Sequence, residues 1–125
     1  MTRRRVDADF SGFLPLKPAW FHILLTLSEG DRHGLAIARE VESLSDGRIR
    51  LWPATLYGSL DDLRHRRWIE EINDPRERPE AESERKRYYR LTRSGRQMLS
   101  SEADHLGRVS RLARNRLKPR SGETG

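Results

Sequence analysis

Pro53-Ala54-Thr55-Leu56-Tyr57-Gly58-Ser59-Leu60-Asp61-Asp62-Leu63-Arg64-His65 is the stretch on which the fold turns. Leu56, Leu60 and Leu63 recur at spacings of four and three, which draws one narrow apolar stripe along a helix that Pro53 opens. The opposite face of that helix carries Ala54, Thr55, Gly58, Asp61, Asp62 and His65, with Tyr57 and Ser59 on its flanks. A helix held by one side, with small and hydrogen-bonding residues on the other near its N-terminus, has the form of an element that enters a DNA major groove. An ordinary amphipathic surface helix shares this pattern. Asp61 and Asp62 also oppose a face that binds phosphate throughout, so any reading of bases falls to the first two turns.

Upstream, Pro18 suits a first helical turn, and Trp20, Phe21, Ile23, Leu24, Leu25 and Leu27 predict a mostly buried helix ending near Gly30. Ile37, Val41 and Leu44, with Ala38 beside them, predict a second helix that Gly47 stops. Arg48-Ile49-Arg50-Leu51 alternates strictly and predicts a short strand with Ile49 and Leu51 facing inward. Downstream, Trp68 to Ile72 and Lys86 to Leu91 read as two strands, joined by a polar loop from Asn73 to Arg85 that contains Pro75 and Pro79. Tyr89 shares a side with Leu91 and is expected in the core, with Tyr88 outward. Thr92 is a good N-cap for a last helix carrying Leu99, Ala103, Leu106, Val109, Ala113 and Leu117 among Arg108, Arg111, Arg114 and Arg116.

Three helices, a short strand, a hairpin and a final helix make the order of a winged helix domain, its second and third helices forming the helix-turn-helix and its hairpin the wing. The expected fold class is mainly α (α+β). The expected organisation is a flexible arm over 1–17, a winged helix DNA-binding domain over 18–91, a dimerisation helix over 92–118 and a disordered tail over 119–125.

At 125 residues the chain is about the length of one domain. Hydrophobic residues make up 34% and charged residues 35%, so one modest core closes under a very polar surface. The formal charge of +6 favours polyanions. Of the 25 basic residues 22 are arginine, which suits bidentate contacts to phosphate and guanine, although an arginine-rich genomic composition gives the same count. Without cysteine there is no disulfide, thiolate metal site or cysteine nucleophile. The apolar run from Ala19 to Leu27 is broken by His22 and Thr26 and falls far short of the roughly 18 residues of a membrane span. A cytoplasmic protein is expected, with no membrane partner.

His22, His33, His65 and His105 are scattered without metal-ligand spacing, and neither a Gly-x-Ser-x-Gly elbow nor a glycine-rich phosphate loop occurs, so no cofactor and no enzymatic activity is expected. In the wing, Arg76, Arg78, Arg85, Lys86 and Arg87 are suited to a DNA backbone or minor groove. Asp74, Glu77, Glu80, Glu82 and Glu84 offset them, and a solvated loop fits equally well. In the last helix Leu99, Leu106 and Ala113 recur every seven residues, with Ala103, Val109, Leu112 and Leu117 widening the strip into a dimer interface.

His33-Gly34-Leu35-Ala36-Ile37-Ala38-Arg39-Glu40, Thr55-Leu56-Tyr57-Gly58-Ser59-Leu60, Trp68-Ile69-Glu70-Glu71 and Arg87-Tyr88-Tyr89-Arg90-Leu91-Thr92 with Gly95 follow one another in an order and spacing that closely resembles the PadR-like family of transcriptional regulators. Each motif is weak alone; four in sequence, from about Pro18 to Leu99, are specific. The resemblance implies a winged helix dimer joined through its C-terminal helix that represses by occupying a promoter. It implies contact with double-stranded DNA through His33, Leu35, Ala54, Thr55, Tyr57, Gly58, Ser59, Arg64, Arg76, Arg78, Lys86 and Arg87. Relatives that respond to small aromatic molecules imply an effector site, for which Trp20 with Phe10 or Phe13 is the candidate. The chain departs from the family pattern at Leu35, usually aromatic, and at Ala54 and Arg67, usually glycine. The competing reading is a winged helix protein-interaction or RNA-associated module without specific DNA binding.

Overall fold

The computed structural model describes residues 16–73 and 87–119. In chain order these form α1 (Pro18–Leu27), β1 (Arg32–His33), α2 (Gly34–Leu44), α3 (Pro53–His65), β2 (Ile69–Ile72), β3 (Tyr88–Leu91) and α4 (Arg93–Leu117). The strands make an antiparallel sheet in the order β1-β3-β2. Its register sets Ile69 opposite Leu91, Glu71 opposite Tyr89 and His33 opposite Tyr88. This is a winged helix-turn-helix fold: α2 and α3 are the helix-turn-helix, and β2 and β3 the base of the wing.

The third strand is not the one expected. Residues 48–51 run as irregular chain; the strand lies at Arg32–His33, ahead of α2. Alternation at Arg48-Ile49-Arg50-Leu51 has a different cause. The Ile49 amide donates to Ser45 Oγ at 2.9 Å, which ties the segment to the end of α2 while Ile49 and Leu51 pack against the core from outside the sheet. Two residues of β1 carry too little pattern to announce a strand.

The core gathers Ile23, Leu24 and Leu27 of α1, Ile37 and Val41 of α2, Leu56, Leu60 and Leu63 of α3, Trp68 and Ile69, Tyr89 and Leu91, and Met98 and Leu99 of α4. Tyr89 is buried, as its alternation with Leu91 requires, and Tyr88 is half-buried with its ring edge-on to His33. Leu44, read as part of the α2 stripe, is 45% exposed because the helix ends there. Leu16 belongs to the folded body, not to an arm: it is buried, and its amide donates to Glu102 Oε2 at 3.0 Å. Only the first part of α4 meets the core. Gly95, Met98, Leu99 and Glu102 are buried, whereas Ala103 to Leu106 and Arg108 onward are exposed.

Both helices of the helix-turn-helix end in a Schellman closure. In α2 the Gly47 amide returns to Glu42 O at 2.8 Å and that of Asp46 to Ser43 O at 3.2 Å. In α3 the Trp68 amide returns to Leu63 O at 3.1 Å and that of Arg67 to Arg64 O at 2.9 Å. The residue at the turn must take a left-handed backbone, and Asp46 (φ 55°) and Arg67 (φ 63°) do so without being glycine. The glycine usual in the family at Arg67 is thereby explained: the geometry is kept and a side chain is carried through it at a cost. Arg67→Gly is expected to raise stability by about 0.5–1 kcal/mol, the relief of left-handed strain exceeding the added freedom of the unfolded chain. Urea unfolding checks this, and a lowered midpoint would show that the Arg67 side chain contributes more than its backbone costs.

Candidate nucleic-acid interface

Proline at the start of α3 removes an amide that has no partner in a first helical turn, and Leu56, Leu60 and Leu63, all at most 1% exposed, pin one side of the helix to the core. The other side is thereby forced outward. Ala54, Thr55, Gly58, Asp61, Asp62 and His65 are exposed, and Tyr57 and Ser59 are half-buried at its edges. Ala54 sits within the helix and needs no special backbone, so the family's usual glycine is dispensable there. Arg64 is exposed and lies 3.6 Å from Asp61 on the same helix, one turn earlier.

Helix α2 brings its N-terminus alongside. His33 caps it, its Nδ1 accepting from the Ala36 amide at 3.3 Å, and Leu35 follows with 52% of its surface exposed. Gly34 is the close contact: a Cβ there would lie 2.7 Å from the Tyr57 hydroxyl oxygen, so any larger residue would require the Tyr57 ring on the flank of α3 to shift away from the start of α2. Tyr57 is thus as much a packing residue as a surface one.

At the base of the wing, Arg87 is exposed and holds two partners. Its guanidinium lies 4.0 Å from Glu71 and donates to the Tyr89 hydroxyl; that hydrogen bond, then Glu71, raises its pKa. Burial, with Glu71 next, pushes the Tyr89 phenol above its ordinary range. The phenol is therefore neutral at physiological pH. Arg76, Arg78 and Lys86, and with them the tip of the wing, lie outside the described residues, as do Phe10 and Phe13.

Trp20, considered for an effector site, is a core residue 7% exposed. Its ring meets that of Trp68 edge-on at 6.2 Å, and Lys17 Nζ and Arg66 Cζ lie 4.8 and 4.7 Å from its centroid. Leu99 likewise leaves the proposed dimer strip, being 9% exposed in the core of its own chain. The exposed strip starts at Ala103 and continues through Leu106, Val109, Leu112, Ala113 and Leu117. Two features escaped the sequence reading. Trp52, immediately before α3, is 67% exposed, and Glu102 is buried on α4 with Oε1 lacking a hydrogen-bond partner.

Among the described residues no three His, Cys, Asp or Glu side chains cluster to hold a metal ion, and no helix is long and apolar enough to cross a membrane. The geometry defines a winged helix DNA-binding module with a projecting C-terminal helix. The chain belongs to the PadR-like family of transcriptional regulators, whose family model matches residues 23–101. It is 35% identical over 88 residues to a 37.1 kDa protein in transposon TN4556 of Streptomyces fradiae, a match covering 70% of this chain and only 23% of that protein. Among solved structures, a PadR family transcription regulator from hypervirulent Clostridium difficile R20291 is 19% identical with a TM-score of 0.66, covering 82% of this chain and 100% of the other. The Bordetella bronchiseptica regulator BpsR, whose DNA binding is regulated by 6-hydroxynicotinic acid, is 21% identical with a TM-score of 0.61, covering 94% and 81%.

The two faces of α3 call for opposite results on substitution. Thr55→Ala is expected to leave stability within about 0.5 kcal/mol, as for surface changes generally, while reducing discrimination between preferred and random duplexes by about 1–3 kcal/mol. Leu60→Ala is expected to cost about 2–5 kcal/mol of stability. Thermal melts with mobility-shift titrations on both duplexes separate them; unchanged preference in Thr55→Ala would assign the wrong face.

Proposed function

We propose that this regulator is a homodimeric repressor that binds a promoter operator sequence-specifically, each protomer placing α3 in the major groove of one half-site. The observation that carries this reading is the division of α3, with Leu56, Leu60 and Leu63 sealed in the core while Ala54, Thr55 and Gly58 stand in water on its first two turns. Thr55 and Ser59 supply hydroxyls for base edges, Gly58 admits close approach, and Leu35 and His33 lie at the end of α2 that faces the DNA backbone in this motif. Arg64 and Arg87, with Arg76, Arg78 and Lys86 of the wing, neutralise phosphates.

The dimer half of the proposal rests on α4. Leu106, Val109 and Leu112 are 43, 47 and 49% exposed and Leu117 is 82% exposed, an apolar strip that a second copy of the helix would cover. Like charges accompany it: Arg108, Arg111, Arg114 and Arg116 are all exposed. A small aromatic effector, of the kind that regulates BpsR, would bind away from Trp20, whose ring is already enclosed by Trp68, Lys17 and Arg66. The proposed place of action is the cytoplasm.

Affinity for any duplex is expected to fall steeply with salt, since each neutralised phosphate adds about 0.9 to the slope of log K against log salt. A flat response would contradict DNA binding. Leu106→Glu with Val109→Glu, both outside the core, should sediment as a monomer at micromolar concentration with unchanged helical content, and operator affinity should drop sharply because the two half-sites no longer act together. Loss of fold in this variant, with the parent monomeric, would contradict the dimer.

A further inference from the structure

The chain has three tryptophans. Trp20 and Trp68 are 7% and 3% exposed and serve the core, whereas Trp52 is 67% exposed. It occupies the N-cap position of α3 with an extended backbone (φ −70°, ψ 157°), and its carbonyl accepts the Leu56 amide at 2.7 Å. The side chain makes no capping hydrogen bond. That position ordinarily favours Ser, Thr, Asp or Asn, whose oxygens accept from the amides of the first turn; an indole has a donor and no acceptor and cannot do this. Trp52 therefore supports neither the helix it precedes nor the core, and a large apolar ring is left in water where a small polar residue would stabilise the fold.

Its place gives it a use. Trp52 adjoins Ala54 and Thr55, the exposed residues of the first turn, at the end of a reading helix that penetrates deepest. The major groove is lined by hydrogen-bonding edges, and its one apolar feature is the thymine 5-methyl, which lies beside the O4 acceptor of the same base. An indole offers the complement of that pair, an apolar face and a single N–H donor. Guanine, with N7 and O6, and adenine and cytosine, with their amino donors, present no apolar surface to match it.

We propose that Trp52 is a specificity-determining residue that reads a thymine in each half-site, its ring on the 5-methyl group and its indole N–H toward O4. This rests on the reading that α3 enters the major groove, and the experiment distinguishes the two. A duplex is selected from a randomised pool by the full chain, then prepared again with uracil, which lacks the methyl, in place of thymine. Because Trp52 is the accessible tryptophan, acrylamide quenching of the free protein should show one quenchable component, absent from Trp52→Phe. In the complex, this component should become protected. The parent should bind the uracil duplex at least about fivefold more weakly, as for one lost base contact. Trp52→Ala, whose fold no buried contact of the indole supports, should discriminate between the two duplexes less than the parent by that same factor. If a shifted complex forms and Trp52 remains quenchable, or if the parent and Trp52→Ala discriminate equally, the proposal is overturned. If no duplex from the pool is bound at low salt, the DNA reading beneath it fails instead.

Discussion

Gly95 lets α4 begin directly against the backbone of Trp68, where a Cβ would overlap the tryptophan carbonyl. Around this close approach a compact set of hydrogen bonds joins three parts of the molecule. The Thr92 hydroxyl donates to Arg67 O at 2.6 Å and accepts from the Gly95 amide at 3.0 Å, while the Thr92 amide donates to Trp68 O at 3.1 Å. Arg67 and Trp68 are the closing residues of α3, Trp68 leads into β2, and Thr92 links β3 to α4. Thr92 thus joins the end of α3, the base of the hairpin and the start of α4. A rotation of α4 about its root cannot be made without disturbing the end of α3.

This constraint turns a fold into a device with defined geometry. If α4 pairs with its copy, the direction of α4 fixes where the two α3 helices stand relative to one another, and the junction at Thr92 and Gly95 transmits that direction. Glu102 adds a second fastening from the other side, where its buried carboxylate accepts the amide of Leu16 and holds the chain leading into α1 against α4. The bidentate pairing of Arg90 with Asp31, at 3.0 and 3.3 Å, ties β3 to the turn before β1. These exposed ions add little stability singly.

Much of this was legible in the sequence because periodicity reports burial. The α3 stripe, the placing of Tyr89 inside, Pro18 and Pro53 as helix openers and Thr92 as an N-cap follow from side-chain spacing and backbone chemistry, and the structure has each in that place, whereas Tyr88, expected outward, is half-buried against His33. What was not legible depends on partners distant in sequence. The alternation at 48–51 suggested a strand, yet strand formation needs a neighbour, and β3 takes Arg32–His33 on that side. Leu99 continues the heptad of the α4 strip, but the helix changes role along its length, leaving the core after Glu102, and no spacing marks that point. Trp20 was legible as part of the buried stripe of α1, but the enclosure of its ring by Arg66, Lys17 and Trp68 depends on partners distant in sequence. For the candidate DNA-contacting residues the chain order sufficed to put Ala54, Thr55 and Gly58 on one exposed face, and the pressing of Tyr57 onto Gly34 came only with the structure.

Sequencing the genomic fragments retained by the full-length protein tests most directly whether two rigidly rooted reading helices act together on DNA. A dimer of this form predicts an enriched inverted repeat whose half-site centres lie one helical turn apart or a multiple of it, about 10–10.5 base pairs or 34–36 Å per turn. Enrichment of a lone half-site, or of no sequence at all from fragments that do bind, would contradict it.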